Sequence, residues 1–150
     1  MEARSLGNIL LENSSLTEAQ LEEGLIVQRE KGIKLGEALI QLRYLKADDI
    51  LKAISIQLGI PYLSKLKTNE IPFELVKEVP INFAKKNELL PISKEENEIK
   101  VAIADPINIQ ALDDLRVLFK ASISPIIVSS GELLDAINDI YNRNTEDDRA

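Results

Sequence analysis

Leu6-Gly7-Asn8-Ile9-Leu10-Leu11 and Leu35-Gly36-Glu37-Ala38-Leu39-Ile40 open two stretches that repeat one pattern at an offset of 29 residues. The first continues through Leu16, Leu21, Leu25 and Gln28, and the second through Leu45, Ile50, Ile54 and Gln57. A fixed offset held over that many positions implies one supersecondary unit used twice and packed against itself. Two copies are too few for a solenoid, so the pattern predicts a pseudo-symmetric helical subdomain.

Within copy one, a short helix is expected over about 5–13, with Ile9 and Leu10 facing inward. Asn13-Ser14-Ser15 is turn chemistry. Thr17 with Gln20 three positions on is a capping box, in which each side chain satisfies an orphan backbone N–H. A second helix over about 18–31 would place Leu21, Leu25 and Gln28 on one face, and Gly32 would stop it. Copy two repeats this from Gly36 to Leu58. Lys46 stands where copy one has Thr17, which leaves the cap to Asp48 or to solvent. Gly59 followed by Pro61 ends the last helix of the pair.

Beyond the repeat the periodicity changes. Residues 62–70 read as a connector, and two short helices over about 73–78 and 81–87 are separated by Pro80. Leu89-Leu90-Pro91-Ile92 and Ile99 to Ala104 are strand-like, joined by the charged segment Ser93 to Glu98 as a hairpin. Asp105-Pro106 then turns the chain. A helix over about 108–119 carries Ile109, Leu112, Leu115 and Leu118 or Phe119 for burial on a sheet. Ile123 to Ile127 is a third strand, which Pro125 pushes toward an edge. Ser129 or Ser130 caps a last helix over about 131–142. The expected class is α+β: a helical repeat subdomain over 1–62, a β-β-α-β-α subdomain over 63–142, and a disordered linker over 143–150.

Composition narrows the chemistry. At 150 residues the chain can bury a real core, built mostly of Leu, Ile, Val and Ala because only 4% of residues are aromatic. A net charge of −7 is the wrong sign for a nucleic-acid footprint. With no His and no Cys, the chain lacks the usual ligands for zinc or iron, cannot form disulfides, and suits a reducing compartment. No apolar run reaches the roughly 18 residues of a spanning helix, and the N-terminus lacks the layout of a signal peptide, so a cytoplasmic protein is expected. No Gly-x-x-x-x-Gly-Lys-Ser/Thr occurs, so this stretch should not hydrolyse ATP and needs no cofactor of its own. Asp113 and Asp114 are adjacent and point in different directions on a helix, which favours surface charge over an acid–base pair.

Taken in order, several segments resemble one family. The doubled Leu-Gly…Gln pattern, Leu58-Gly59-Ile60-Pro61-Tyr62, Leu89-Leu90-Pro91-Ile92, Val101 to Pro106, Ala111 to Leu115, and Tyr141 are together similar to the domain that opens type II secretion ATPases and type IV pilus assembly ATPases, often called MshEN. The resemblance covers about residues 4–142. It implies a non-catalytic regulatory and docking module ahead of a RecA-like ATPase core. The implied partners are the cytoplasmic domain of an inner-membrane platform protein of the type II secretion system and the chain's own ATPase core. Such a module would sit in the cytoplasm, peripheral to the inner membrane through its partner.

Some members of that family bind cyclic di-GMP with the two repeat motifs. Carried onto this chain, that role would fall to Arg4, Leu6, Gly7, Gln28, Lys34, Leu35, Gly36 and Gln57. Binding members carry an arginine before each Leu-Gly, where this chain has Ser5 and Lys34, and neither supplies the planar fork of a guanidinium. The family's mid-motif glycines are replaced by Ser14 and Arg43. The repeat is therefore expected to be a scaffold kept for docking, with a cyclic di-GMP site as the alternative.

Overall fold

The computed structural model describes the backbone of residues 5–149 and the side chains of residues 5–143. The chain divides into two compact units between Ile60 and Pro61, two residues before the expected boundary. Tyr62 already belongs to the second unit, because it bridges to Ile127 in the sheet.

The first unit holds α1 (Leu6–Asn13), α2 (Glu18–Lys31), α3 (Leu35–Gln41) and α4 (Ala47–Leu58). The repeat is visible in the backbone itself. Ser5 and Lys34 enter α1 and α3 with φ/ψ of −66°/151° and −73°/151°, and Thr17 and Lys46 share −97°/162° ahead of α2 and α4. Thr17 and Gln20 form both halves of the capping box, at 3.2 and 3.0 Å. In copy two only the reverse half exists, since lysine has no acceptor. The Lys46 N–H donates to the Asp49 carboxylate at 2.9 Å, so the helper is Asp49 and not the expected Asp48.

Packing within this unit is crosswise. The first helix of each copy lies against the second helix of the other, α1 on α4 and α3 on α2. Ile9, Leu10, Leu16, Leu39, Leu45, Ile50 and Ala53 form its core. The buried face of α2 is centred on Gly24, and the Leu25 side chain is 38% exposed. Leu25 was expected inside on its spacing from Leu21. Gly24 wins because its missing Cβ admits Leu39, whose Cδ2 would lie 2.6 Å from an added methyl. The equivalent position in copy two is Ala53, also buried.

In the second unit, the connector includes a 3-10 turn at Thr68–Glu70, and α5 (Phe73–Val76) and α6 (Ile81–Asn87) follow. The sheet has order β1-β2-β3, built from β1 (Leu89–Glu95), β2 (Glu98–Ile103) and β3 (Ser122–Ile127). β1 and β2 pair antiparallel, with a register shift between Pro91 and Ser93. The hairpin is tighter than expected: the charged residues Lys94, Glu95 and Glu98 are in the strands, and only Glu96 and Asn97 turn, with Glu96 at φ 53°. After α7 (Ile109–Phe119), β3 returns parallel to β2. Val101, Ala102 and Ile103 of β2 are consecutive and all buried, so the central strand is covered on both faces.

β3 is an edge, as Pro125 suggested. Near its end, Ile127 donates its N–H to Pro61 at 2.7 Å and accepts from Leu63 at 2.9 Å. Two residues earlier on the same side is Pro125, which has no N–H to leave unpaired.

Two expectations for the helices fail. On α7, Ala111, Leu112 and Leu115 are buried and Phe119, the second of the Leu118/Phe119 alternatives, packs against the core, but Ile109 is 62% exposed. At 100° per residue, a face centred on Ala111, Leu112 and Leu115 turns position 109 outward. The last helix, α8 (Ser130–Arg149), continues past 142 through the stretch expected to be a linker. No proline or glycine follows Gly131 to stop it, and Arg143 pairs with Asp139 one turn back at 3.1 Å. Its cap is Ser129, whose hydroxyl accepts the Glu132 N–H at 3.3 Å.

Tyr141 fastens α8 to the α5–α6 corner. Its hydroxyl donates to the carbonyls of Val79 at 2.5 Å and Val76 at 3.2 Å, and burial pushes its pKa up to about 12. Because the folded value lies above the ordinary 10.0, the native state holds this proton more tightly than the unfolded chain. The resulting stability is complete below pH 10 and is lost as pH rises toward 12. Tyr141→Phe is expected to lower unfolding free energy by about 1 kcal/mol at pH 7. It should also flatten the decline of stability across that alkaline window, and urea titrations at a series of pH values measure both effects.

Candidate functional site

The residues singled out from the sequence sit at the helix ends of the first unit, except Arg4, which lies outside the described residues. Leu6 and Gly7 form the first turn of α1; Leu35 and Gly36 form the first turn of α3, entered through Lys34. Gln28 is in the last turn of α2 and Gln57 in the last turn of α4. Because packing is crosswise, the helix opening with Leu6-Gly7 lies against the one that carries Gln57. The helix opening with Leu35-Gly36 lies against the one that carries Gln28. Each half of the candidate site therefore draws on both copies.

Both motif glycines are occupied by packing. A Cβ at Gly36 would lie 2.8 Å from Cγ2 of Ile50, and one at Gly7 would lie 3.3 Å from Cδ2 of Leu21. Ile50 and Leu21 are equivalent residues of the two copies, so the same contact is made twice. The backbone at these positions faces the following helix of its own copy.

Two polar links between elements sit at the surface. The Tyr44 hydroxyl donates to the Glu23 carboxylate at 2.6 Å, tying the α3–α4 turn to α2. That hydrogen bond is the main reason the Tyr44 pKa is raised; slight burial and the Glu23 charge add to it. Lys31 Nζ donates to Gln41 Oε1 at 3.1 Å, a second link between α2 and α3.

The mid-motif positions differ between copies. Arg43 closes α3 in the left-handed conformation, at φ 63°. Its N–H reaches the carbonyl of Ile40 at 3.0 Å, and the Tyr44 N–H reaches that of Leu39 at 3.1 Å. These two bonds are a Schellman closure, where glycine is the usual residue. Ser14 is extended at φ −143°, and its hydroxyl donates to the Leu10 carbonyl at 2.6 Å. Copy two thus needs the family's glycine and has arginine, whereas copy one has found another way to end its helix. Gly24, the most tightly enclosed glycine of the unit, is missed by apolar spacing, and the one signal for it is its equivalence to Ala53 under the 29-residue offset, which marks both as small positions.

Comparison with known proteins places the chain. The MshEN domain profile matches residues 58–147. The chain belongs to the MshEN domain family. Type IV pilus assembly ATPase PilB of Myxococcus xanthus is 28% identical over 136 residues, 91% of this chain and 24% of that protein. Type II secretion system protein E of Xanthomonas campestris is 27% identical over 150 residues, covering 95% of this chain and 26% of its own length. Bacteriophage adsorption protein B of Escherichia coli K12 is 30% identical over 140 residues, 93% of this chain and 18% of that protein. The chain thus spans about a quarter or less of the curated relatives it matches. Among solved structures, MshE with cdg (cyclic di-GMP) has a TM-score of 0.76 and 26% identity, over 92% of this chain and 99% of that one. Among the described residues, no helix is long and apolar enough to cross a membrane.

The packing and turn geometry predict opposite outcomes for two substitutions. Gly36→Ala presses a methyl into Ile50 and is expected to cost about 1–3 kcal/mol of overpacking, more than the propensity it regains at a helix start. Arg43→Gly removes left-handed strain and is expected to gain up to about 1 kcal/mol. Chemical denaturation of the two variants beside the parent chain measures both, and a stabilised Gly36→Ala would contradict the packing role.

Proposed function

We propose that this MshEN domain is a non-catalytic docking module that recruits a type II secretion ATPase to the cytoplasmic domain of an inner-membrane platform protein. In this reading the domain works in the cytoplasm, peripheral to the inner membrane through its partner, and a RecA-like ATPase core lies elsewhere in the same protein. The observation that carries it is the use of Gly7 and Gly36. Both lie beneath a side chain of the next helix, so the repeat closes on itself as a scaffold. Likeness to type II secretion system protein E over 95% of the chain is in keeping with this reading, beside a comparable likeness to the pilus assembly ATPase PilB.

Titrating the chain with the cytoplasmic domain of the platform protein is expected to give a saturable complex. The reading fails if no binding appears at high-micromolar concentration.

A second reading, regulation by cyclic di-GMP, draws on the likeness to MshE solved with cdg. Against it stand Ser5 and Lys34, where the family resemblance calls for arginine. Calorimetry with cyclic di-GMP is expected to show no binding. A Kd tighter than about 10 μM, or about 7 kcal/mol, would reverse the order of the two readings.

A further inference from the structure

Two residues of copy two stand where another residue would fold better, and both are cations. Arg43 closes α3 at φ 63°, where glycine carries no strain. Lys46 is the N-cap of α4, at the backbone geometry where Thr17 of copy one supplies a side-chain acceptor and lysine has none. Left-handed geometry alone marks nothing, since Glu88 and Lys120 close α6 and α7 the same way. What sets Arg43 and Lys46 apart is that both line one cleft of about 460 Å3, with Ser15, Ile40, Tyr44 and Asp49 also in its wall. Breaches of a local folding rule that gain nothing inside the fold are expected at functional sites.

No such gain is present. Among the described residues, neither the Arg43 guanidinium nor the Lys46 ammonium is in an ion pair. Asp49, the one carboxylate in the lining, accepts the Lys46 N–H at 2.9 Å. The Tyr44 hydroxyl is tied to Glu23 at 2.6 Å, and Ile40 is 39% exposed. The equivalents of Arg43, Tyr44 and Lys46 under the 29-residue offset are Ser14, Ser15 and Thr17. Where copy one has three small hydroxyl residues, copy two has two cations and an aromatic ring, all at one cleft. The cleft lies at the end of α3 and the start of α4. Leu6-Gly7, Leu35-Gly36, Gln28 and Gln57 lie at the opposite helix ends.

A guanidinium fork, an ammonium and the Ser15 hydroxyl offer more donors than a carboxylate accepts, and they suit the three terminal oxygens of a phosphoryl group. A ring and an isoleucine in the same wall suit an apolar body attached to it. We propose that this cleft binds a small phosphate monoester, with Arg43, Lys46 and Ser15 on the phosphoryl group and Tyr44 and Ile40 against the body. The site is separate from the Leu-Gly and Gln residues and independent of the docking reading.

The test titrates phenyl phosphate into the parent chain and into Arg43→Gly, Lys46→Thr and Lys65→Thr, followed by amide NMR shifts. The parent is expected to bind saturably, with a Kd of about 1 mM or tighter and the largest shifts at Ser15 and from Arg43 to Asp49. Arg43→Gly and Lys46→Thr should each weaken binding about tenfold while unfolding at higher urea than the parent, since each restores the residue the fold prefers. A loss of binding in a more stable variant cannot come from unfolding. Lys65→Thr, outside the first unit, should bind as the parent does. Absence of saturable shifts in the parent, unchanged binding in both cleft variants, or equal weakening by Lys65→Thr would overturn the site. Equal affinity for benzoate would overturn the phosphoryl assignment, and displacement of phenyl phosphate by cyclic di-GMP would overturn the separateness of the cleft.

Discussion

The first unit depends on one kind of contact, an aliphatic side chain set directly on a helix backbone where glycine or alanine leaves room. Leu21 on Gly7, Ile50 on Gly36 and Leu39 on Gly24 are its instances. Helices of seven to fourteen residues are marginal in water on propensity alone. What stabilises them here is burial of Leu10, Leu39, Ile9 and Ile50 across the close approaches that the small residues permit. Crosswise packing follows from the same contact. Gly24 of copy one receives Leu39 of copy two, so neither copy can complete its core alone.

In the second unit, the central strand has the comparable position. Val101 to Ile103 are buried on both faces, and parallel return of the chain to β3 requires a crossover, which α7 provides. A crossover helix needs only one apolar face. Ala111, Leu112 and Leu115 supply it, so Ile109 and Val117 are surplus to folding.

Much of this was legible in the sequence, and the failures have identifiable causes. The Thr17–Gln20 box, the stops at Gly32 and Gly59, the β-β-α-β-α order and the edge position of Pro125 are local rules, each set by a few neighbouring residues. Leu25 and Ile109 were misplaced because spacing among apolar residues neither ranks a position such as Gly24 nor says which edge of an apolar stripe meets the core. The end of α8 was misplaced for the converse reason: Asn142 onward has no apolar periodicity, but it also has nothing that breaks a helix. At the candidate site the pattern identified the helix ends correctly. Which helix faces which is a tertiary fact, and that is what joins Gln28 to the Leu35-Gly36 helix and Gln57 to the Leu6-Gly7 helix.

Differences between the two copies bear most directly on function. At positions where a side chain faces the core, the copies remain equivalent: Leu10 with Leu39, Leu16 with Leu45, Leu21 with Ile50, Gly24 with Ala53. At helix entries and turns they have diverged, to Ser5 and Lys34, Ser14 and Arg43, Thr17 and Lys46. Arg43 is retained in a left-handed closure that costs a non-glycine residue about 1–2 kcal/mol. The residues just ahead of each Leu-Gly, Ser5 and Lys34, would grip a two-fold ligand unequally. Outside the core, Leu6-Gly7 with Leu35-Gly36 and Gln28 with Gln57 also match, but both glycines are taken up by packing against Leu21 and Ile50, so much of the symmetry of this unit follows from how it packs.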